Sequence, residues 1–435
     1  MSVGSLSEEP ERVDEPATAP AHPPSTSVDP PPEASAGPAE AFTDVGEGSG
    51  LEGDEAAPPT ADAAPADAAP ATSADLVEDQ ARDQSDAADR DWRGLGLSFG
   101  FNLQKIPGHG EDSDPILRDG RELGLVGVFD GMGGAGGTVY DTPDGPRTGA
   151  YLASRVSRDV VEQRMVALLN PEWNLDGPGT ALDLQRSVRA ALQARLAELK
   201  APASGLRSRL LRALPTTMAL VGLQRREAGG ERWAAHLFSA GDSRVYAFQP
   251  DTGAQQLTGD DIKDRGDALA NLREDSVVSN AMSADVDFVV HHHRVELTAP
   301  FLVVAATDGC FGYLPSPMHF EHLVLAALRD APDTETWSTA VQTAISAVTG
   351  DDAAMAVLGV GADHQQFRSL FSTRTAELER RWVAPLDASD ADVRHREQDL
   401  EQARTLQRQQ QAQLWAAYKP AYEQHVTTAG GRSRP

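Results

Sequence analysis

The stretch LGLVGVFDGMGG, residues 123–134, decides how the rest of the chain is read. Leu123 to Phe129 is a short, strongly apolar run, and it stops at Asp130-Gly131-Met132-Gly133-Gly134. A run of that length closed by glycines reads as a strand ending in a tight turn, with an acid held at its tip. Upstream, Leu95, Leu97, Phe99, Phe101 and Leu103 alternate with small or polar residues as a strand would. A Gly/Pro/His loop at Pro107–Gly110 and the acidic cluster Glu111-Asp112-Ser113-Asp114 separate the two. Downstream, Leu152, Val156, Val160, Val161 and Met165 form a helical stripe within 149–169, and Val188, Leu192 and Leu196 do the same within 182–199.

Extended segments follow at 216–223, 233–239, 245–249, 288–297, 301–306 and 354–360, with a helical pair at 319–329 and 336–348 before the last of them. Strands, helices, strands, helices and a final strand do not make a regular βαβ repeat. The order predicts an α+β fold: a four-layer α/β/β/α sandwich of two mainly antiparallel sheets flanked by helices. Beyond Asp363, 371–382 and 390–418 read as polar helices rich in Gln, Arg and Glu, with a ragged stripe at Val393, Leu400, Ala403, Leu406, Leu414 and Ala417.

Composition divides the chain of 435 residues. Residues 1–80 hold 18 acidic side chains against the single Arg12, 13 of the 29 prolines and one aromatic, Phe42, so they cannot bury enough apolar surface to fold. The expected organisation is an acidic Ala/Pro-rich disordered leader over 1–88, a folded domain over 89–363 and a helical extension over 364–435. The net charge of −28 argues against nonspecific binding to nucleic acid or an anionic membrane. The N-terminus lacks a basic region followed by an apolar run, and the greasy segment 301–306 is too short to span a bilayer. Cys310, the only cysteine, rules out an intramolecular disulfide and a thiolate zinc site. A cytoplasmic protein is expected. The extensions suit a helical or basic protein partner.

Five acidic turns carry the chemistry: Glu111-Asp112, VFDGMGG (128–134), SAGDSRVYAF (239–248), AATDGCFG (305–312) and TGDDAAMAVLG (349–359). Asp-Gly alone is the commonest of turn dipeptides. Taken in this order, the five resemble the metal-dependent protein serine/threonine phosphatases of the PP2C/PPM type, bacterial members in particular, over residues 92–362. The resemblance implies metal-dependent hydrolysis of phosphoserine or phosphothreonine on proteins by a metal-activated bridging water, with two Mn²⁺ or Mg²⁺ ions and a weaker third. It implies that Asp130 bridges the ions, that the Gly131 carbonyl binds one, and that Asp308 and Asp351 complete the first. Glu111 and Asp112 would act largely through bound water, Asp242 with Asp308 would recruit the third ion, Asp352 stands where the family often has Asn, and Thr216-Thr217 match a buried strand pair. Asp130, Asp308 and Asp351 are then the catalytic acids.

Physical chemistry supports such a site independently. Carboxylates gathered together repel and retain protons unless cations neutralise them. Oxygen-only ligands suit hard ions, and two ions roughly 4 Å apart can activate a water and bind phosphoryl oxygens. Two departures stand out. Pro107 occupies the position of the family's phosphate-gripping arginine, with Lys105 and His109 the nearest cations, and Met132 replaces a histidine of many eukaryotic relatives. Pro107 supports the alternative reading, a catalytically weak or inactive module that binds proteins.

Other residues read blandly. His291-His292-His293 cannot converge on one ion because neighbours on a strand point to opposite faces. Arg244 is expected to brace its turn, Cys310 to be a small buried hydrophobe, and Asp260-Asp261 to lie in a solvated loop. The 264–280 and 282–290 stretches are expected to form a flap beside the site.

Overall fold

The computed structural model describes residues 97–169, 174–199, 211–263, 266–273 and 277–425. The leader expected over 1–88, and Trp92 and Leu95 ahead of the first strand, lie outside them. In chain order the main elements are β1 (Ser98–Leu103), β2 (Ile116–Asp119), β3 (Leu123–Val128), β4 (Val139–Thr142), β5 (Gly145–Thr148), α1 (Gly149–Leu168), α2 (Gly177–Glu198), β6 (Met218–Arg225), β7 (Arg232–Ala240), β8 (Arg244–Gln249) and β9 (Gly253–Gln256). They continue with β10 (His291–Thr298), β11 (Phe301–Ala306), α3 (Pro317–Asp330), α4 (Thr334–Ser346), β12 (Ala353–Val360), α5 (His364–Leu378) and α6 (Ala384–Tyr422).

Two five-stranded sheets, ordered β1-β12-β11-β8-β9 and β10-β7-β6-β3-β2, form the centre. Every pairing within them is antiparallel. The strands show why the sequence looks continuously greasy rather than alternating. On β11, Phe301, Val303 and Ala305 enter the cluster between the sheets, where they join Val126, Val221 and Leu237. Leu302, Val304 and Ala306 point the other way, into a cluster with Phe320, Trp337 and Phe367 from α3, α4 and α5. A third cluster joins Leu125, Leu220 and Phe238 of the second sheet to Val161 and Met165 of α1 and Leu184 and Val188 of α2. Both faces of the central strands are buried, while the edge strand β10 is largely exposed, which gives the expected helix/sheet/sheet/helix layering.

Local signals set the helix starts. Thr148 accepts the Tyr151 N–H at the head of α1, and Asp333 accepts the Thr336 N–H at the head of α4. Asp363 and Gln366 form a reciprocal capping box at the head of α5. That helix buries Phe367, Phe371 and Leu378 in the same cluster as Trp337, so packing continues past the boundary expected at 363. The two tail helices expected at 371–382 and 390–418 are instead α5 and the 39-residue α6, joined by a π-helical turn, Glu379–Val383. The strand expected from Phe288 begins at His291, while Phe288 and Val290 are buried without joining the ladder. The β4–β5 hairpin had no apolar pattern to reveal it; its turn depends on Gly145 at φ 99°. No helix among the described residues is long and apolar enough to cross a membrane.

Candidate functional site

The acidic turns sit at the ends of central strands. Asp130 follows β3, Asp242 lies between β7 and β8, Asp308 follows β11, and Asp351-Asp352 precede β12. Antiparallel pairing of β11 with both β8 and β12 places the last three turns at one end of the first sheet. On the second sheet, an isolated bridge between Gly131 and Thr216 extends the pairing beyond β3 and β6. The Asp130 carbonyl accepts from Thr216 Oγ1 at 2.6 Å and from the Thr217 N–H at 2.9 Å. Thr216 and Thr217 are fully buried as expected, although they precede β6 rather than lie within it.

Gly131 and Gly133 permit the close approach of Glu111. A Cβ on Gly131 would fall 2.5 Å from the Glu111 carbonyl oxygen and 2.7 Å from that of Ala150, and a Cβ on Gly133 would fall 1.9 Å from Glu111 Oε2. Glu111 is then held from several sides. Thr148 Oγ1 donates to Glu111 Oε1 at 2.6 Å, and Ser154 Oγ donates to its carbonyl at 2.5 Å. The Asp352 carboxylate accepts the Glu111 N–H at 2.6 Å and the Lys105 N–H at 2.8 Å. Asp352 thus ties the loop carrying Glu111 to the start of β12.

The electrostatics of the acids are those of a crowded cluster. Asp112 is buried, with Thr307 Oγ1 donating to its Oδ2 at 2.9 Å, and burial raises its pKa to about 7. Asp130 is pushed well above the ordinary carboxylate value by burial and then by Asp112, Asp308 and Asp242, and it shares a hydrogen bond with Asp112. Burial also holds Asp308 well up, with Asp242, Asp112 and Asp351 adding to it. Asp242 rises to about 6, mainly through burial and then through Asp260. Glu111 is raised by burial, opposed by the Thr148 hydrogen bond and reinforced by Asp352 and Asp351. The cluster therefore brings together Glu111, Asp112, Asp130, Asp242, Asp308 and Asp351 as electrostatic neighbours. Asp351 is exposed at the mouth, whereas Asp112 lies innermost. Among the described residues, no three His, Cys, Asp or Glu side chains already stand in a cation-coordinating arrangement. The donor set nonetheless fits hard cations: all donors are oxygen, burial without counter-charge raises the pKa of Asp112, Asp130, Asp242 and Asp308, and buried Asp242 Oδ1 has no hydrogen-bond partner among the described residues.

Arg244 behaves as expected. It forms a buried fork with Asp260, at 2.9 and 2.6 Å, and stacks 4.3 Å from the centroid of Phe311. The solvated loop expected at Asp260-Asp261 is corrected by this pairing: both acids are buried, Asp260 against Arg244 and Asp261 against the Gly241 N–H and Asn280. Two arginines escaped the sequence reading. Arg147 on β5 donates to the Gly108 carbonyl at 2.9 Å, and Arg155 on α1 donates to the carbonyls of Gly110 and Glu111 at 3.3 and 3.2 Å. They lie 4.4 and 3.5 Å from the centroid of the Tyr151 ring. They hold the loop that carries Pro107, but distance in sequence hid the association. Cys310 is buried, its thiol pKa pushed far up by burial, and it donates to the Ala354 carbonyl, which leaves it no nucleophilic character.

By sequence, no protein family and no curated protein matches the chain. Solved structures similar to it include one described as a bacterial serine phosphatase, at 14% identity, covering 61% of this chain and 98% of that one, with a TM-score of 0.44. Another is the Mycobacterium tuberculosis serine/threonine phosphatase PstP/Ppp, at 18% identity, 61% and 98% coverage and a TM-score of 0.41. A third is the catalytic domain of PstP in complex with two manganese ions, at 16% identity, 60% and 96% coverage and a TM-score of 0.40. The fold assignment rests on the strand order and the three core clusters themselves.

Proposed function

We propose that the protein is a metal-dependent protein serine/threonine phosphatase whose site is formed by Glu111, Asp112, Asp130, Gly131, Asp242, Asp308 and Asp351. The observation that carries this reading is the convergence of acids from turns far apart in the chain: strand pairing sets the Asp242, Asp308 and Asp351 turns at one end of the first sheet, and Thr307, beside Asp308, donates to Asp112. A fold has little reason to bury like charges together unless positive charge joins them. Asp130, Asp308 and Asp351 would hold one Mn²⁺ or Mg²⁺ ion, and Asp130 with the Gly131 carbonyl a second, while the orphaned Asp242 oxygen suits a weaker third. When bound, such ions supply water activation and neutralisation of a phosphoryl group.

The chain's own residues provide the rest. Thr148 and Asp352 fix Glu111 at the rim, and Thr307 orients Asp112 behind Asp130. Arg147, partly exposed and held against the Gly108 carbonyl, would meet a substrate phosphate at the rim in the role that Pro107 cannot fill. The expected substrate is a phosphorylated protein. Calorimetric titration with Mn²⁺, paired with hydrolysis of a phosphoserine peptide, tests the reading. Asp308→Asn is expected to weaken Mn²⁺ uptake and abolish turnover. Undiminished hydrolysis by that variant would defeat the assignment, whereas Mn²⁺ uptake without turnover in the wild type would favour a protein-binding module.

A further inference from the structure

The 39 residues of α6 extend roughly 58 Å at the helical rise, and none is buried. Its contact with α3 includes Asp387, whose Oδ1 lies 3.1 Å from His319 Nε2 at the first turn. Farther along, ion pairs such as Asp392–Arg396 and Glu401–Arg408 lie within the helix and in solvent. They do not account for Leu400, Leu414 and Tyr418, which are 51%, 64% and 62% exposed. A long helix with large apolar groups in water is short of a partner.

The pattern on α6 specifies the partner. Leu386, Val393, Leu400, Gln407 and Leu414 recur every seventh residue, a spacing that keeps one seam in contact only when a helix supercoils against another. Three residues after each come Ser389, Arg396, Ala403, Gln410 and Ala417, three of them small. In an antiparallel pair of like helices, the two sets of positions face each other. Leu400 then meets Ala403, Leu386 meets Ala417 and Leu414 meets Ser389, so these layers combine a large side chain with a small one, while Val393 meets Gln410 and Gln407 meets Arg396 in the layers between them. A parallel pair would stack leucine on leucine in one layer and alanine on alanine in the next.

Charge selects the same arrangement. Residues 384–402 carry six acids, Asp387, Asp390, Asp392, Glu397, Asp399 and Glu401, against Arg394 and Arg396. Residues 403–422 carry Arg404, Arg408 and Lys419 and no acid. Antiparallel pairing lays the acidic half of one helix on the basic half of the other, with Glu397 beside Arg404, whereas parallel pairing sets like against like. We infer that α6 joins two copies of this chain as an antiparallel helix pair crossing between Leu400 and Ala403.

Sedimentation velocity of the full chain tests this. The wild type is expected to show a concentration-dependent dimer. Leu400→Glu with Leu414→Glu is expected to weaken it at least about tenfold while leaving the thermal transition of the β-sandwich in place, since both residues are exposed. Orientation is read from oxidative cross-linking, for which buried Cys310 gives little background. Ser389→Cys and Leu414→Cys proteins are expected to cross-link when mixed but not separately. A chain that stays monomeric at all concentrations overturns the inference, as does efficient cross-linking of Ser389→Cys with itself.

Discussion

Apo-protein stability should fall as pH rises from 5 to 7, because Asp112, Asp130, Asp308 and Asp242 are all raised, and Asp112→Asn should remove one carboxyl's share of that fall. The folded-state pKa of Asp112 is about 7 against an ordinary value of 3.8. Stability that depends on a raised pKa is fully present below the unfolded value and is lost as pH rises through the folded one. Between pH 5 and 7 the unfolded chain has released this proton while the folded chain retains it. Two pH units at one proton amount to about 2.7 kcal/mol. Asp242, raised to about 6, adds about 1.4 kcal/mol between pH 5 and 6 with the same sign. His236, lowered to about 4 chiefly by burial, works oppositely, because its unfolded form binds the proton below about 6.5. Both contributions are common to wild type and variant and cancel in their difference.

The assay is urea unfolding in EDTA at pH 5, 6 and 7, comparing wild type with Asp112→Asn, whose side chain can still accept from Thr307. The variant should lose about 2–3 kcal/mol less across the range. Losing Asp112 also relieves Asp130, which can only enlarge the difference. Millimolar Mn²⁺ at pH 7 should restore the wild type by mass action. Parallel pH profiles for the two proteins would refute the claim that Asp112 retains a proton inside a crowded acidic cluster.

Removing one member of the buried Arg244–Asp260 fork, as in Arg244→Met, should cost about 3–5 kcal/mol by urea unfolding, and Asp260→Leu added to it should recover much of the loss. Arg147→Ala should raise KM for a phosphopeptide about tenfold with kcat changed far less, since a charge-assisted hydrogen bond is worth about 1.5 kcal/mol or more; an unchanged KM would remove Arg147 from phosphate binding. Trp337→Ala, which empties the largest side chain of the cluster beneath α3 and donates through Nε1 to the Val324 carbonyl, should cost about 3–5 kcal/mol by the same denaturation assay.

Much of the architecture was legible because hydrophobic period depends on a few adjacent residues. The β11 segment 301–306 and the helical stripe of α1 were visible in that way, and the layers followed from element order. The elements that escaped have no periodic signature: β2 has only four residues, and the β4–β5 hairpin is polar with a Pro-Asp-Gly turn. The helix expected to start at 371 starts at His364, because the polar residues around Phe367 hid the buried stripe that it shares with Phe371.

The acids themselves could be read from sequence, because Asp-Gly turns after apolar strands are local features and the order of five such turns is a linear pattern. What holds them could not. Thr148 reaches Glu111 across 37 residues, Asp352 reaches it across 241, and Thr307 reaches Asp112 across 195. The burial of Asp260 under Arg244, the two arginines around Tyr151 and the displaced pKa values depend on sheet pairing and on which groups lose water together. Sequence alone determined the kinds of residue and the strands that carry them. Tertiary structure decided which charges became neighbours, because Coulomb energy and desolvation depend on distance in space rather than separation along the chain.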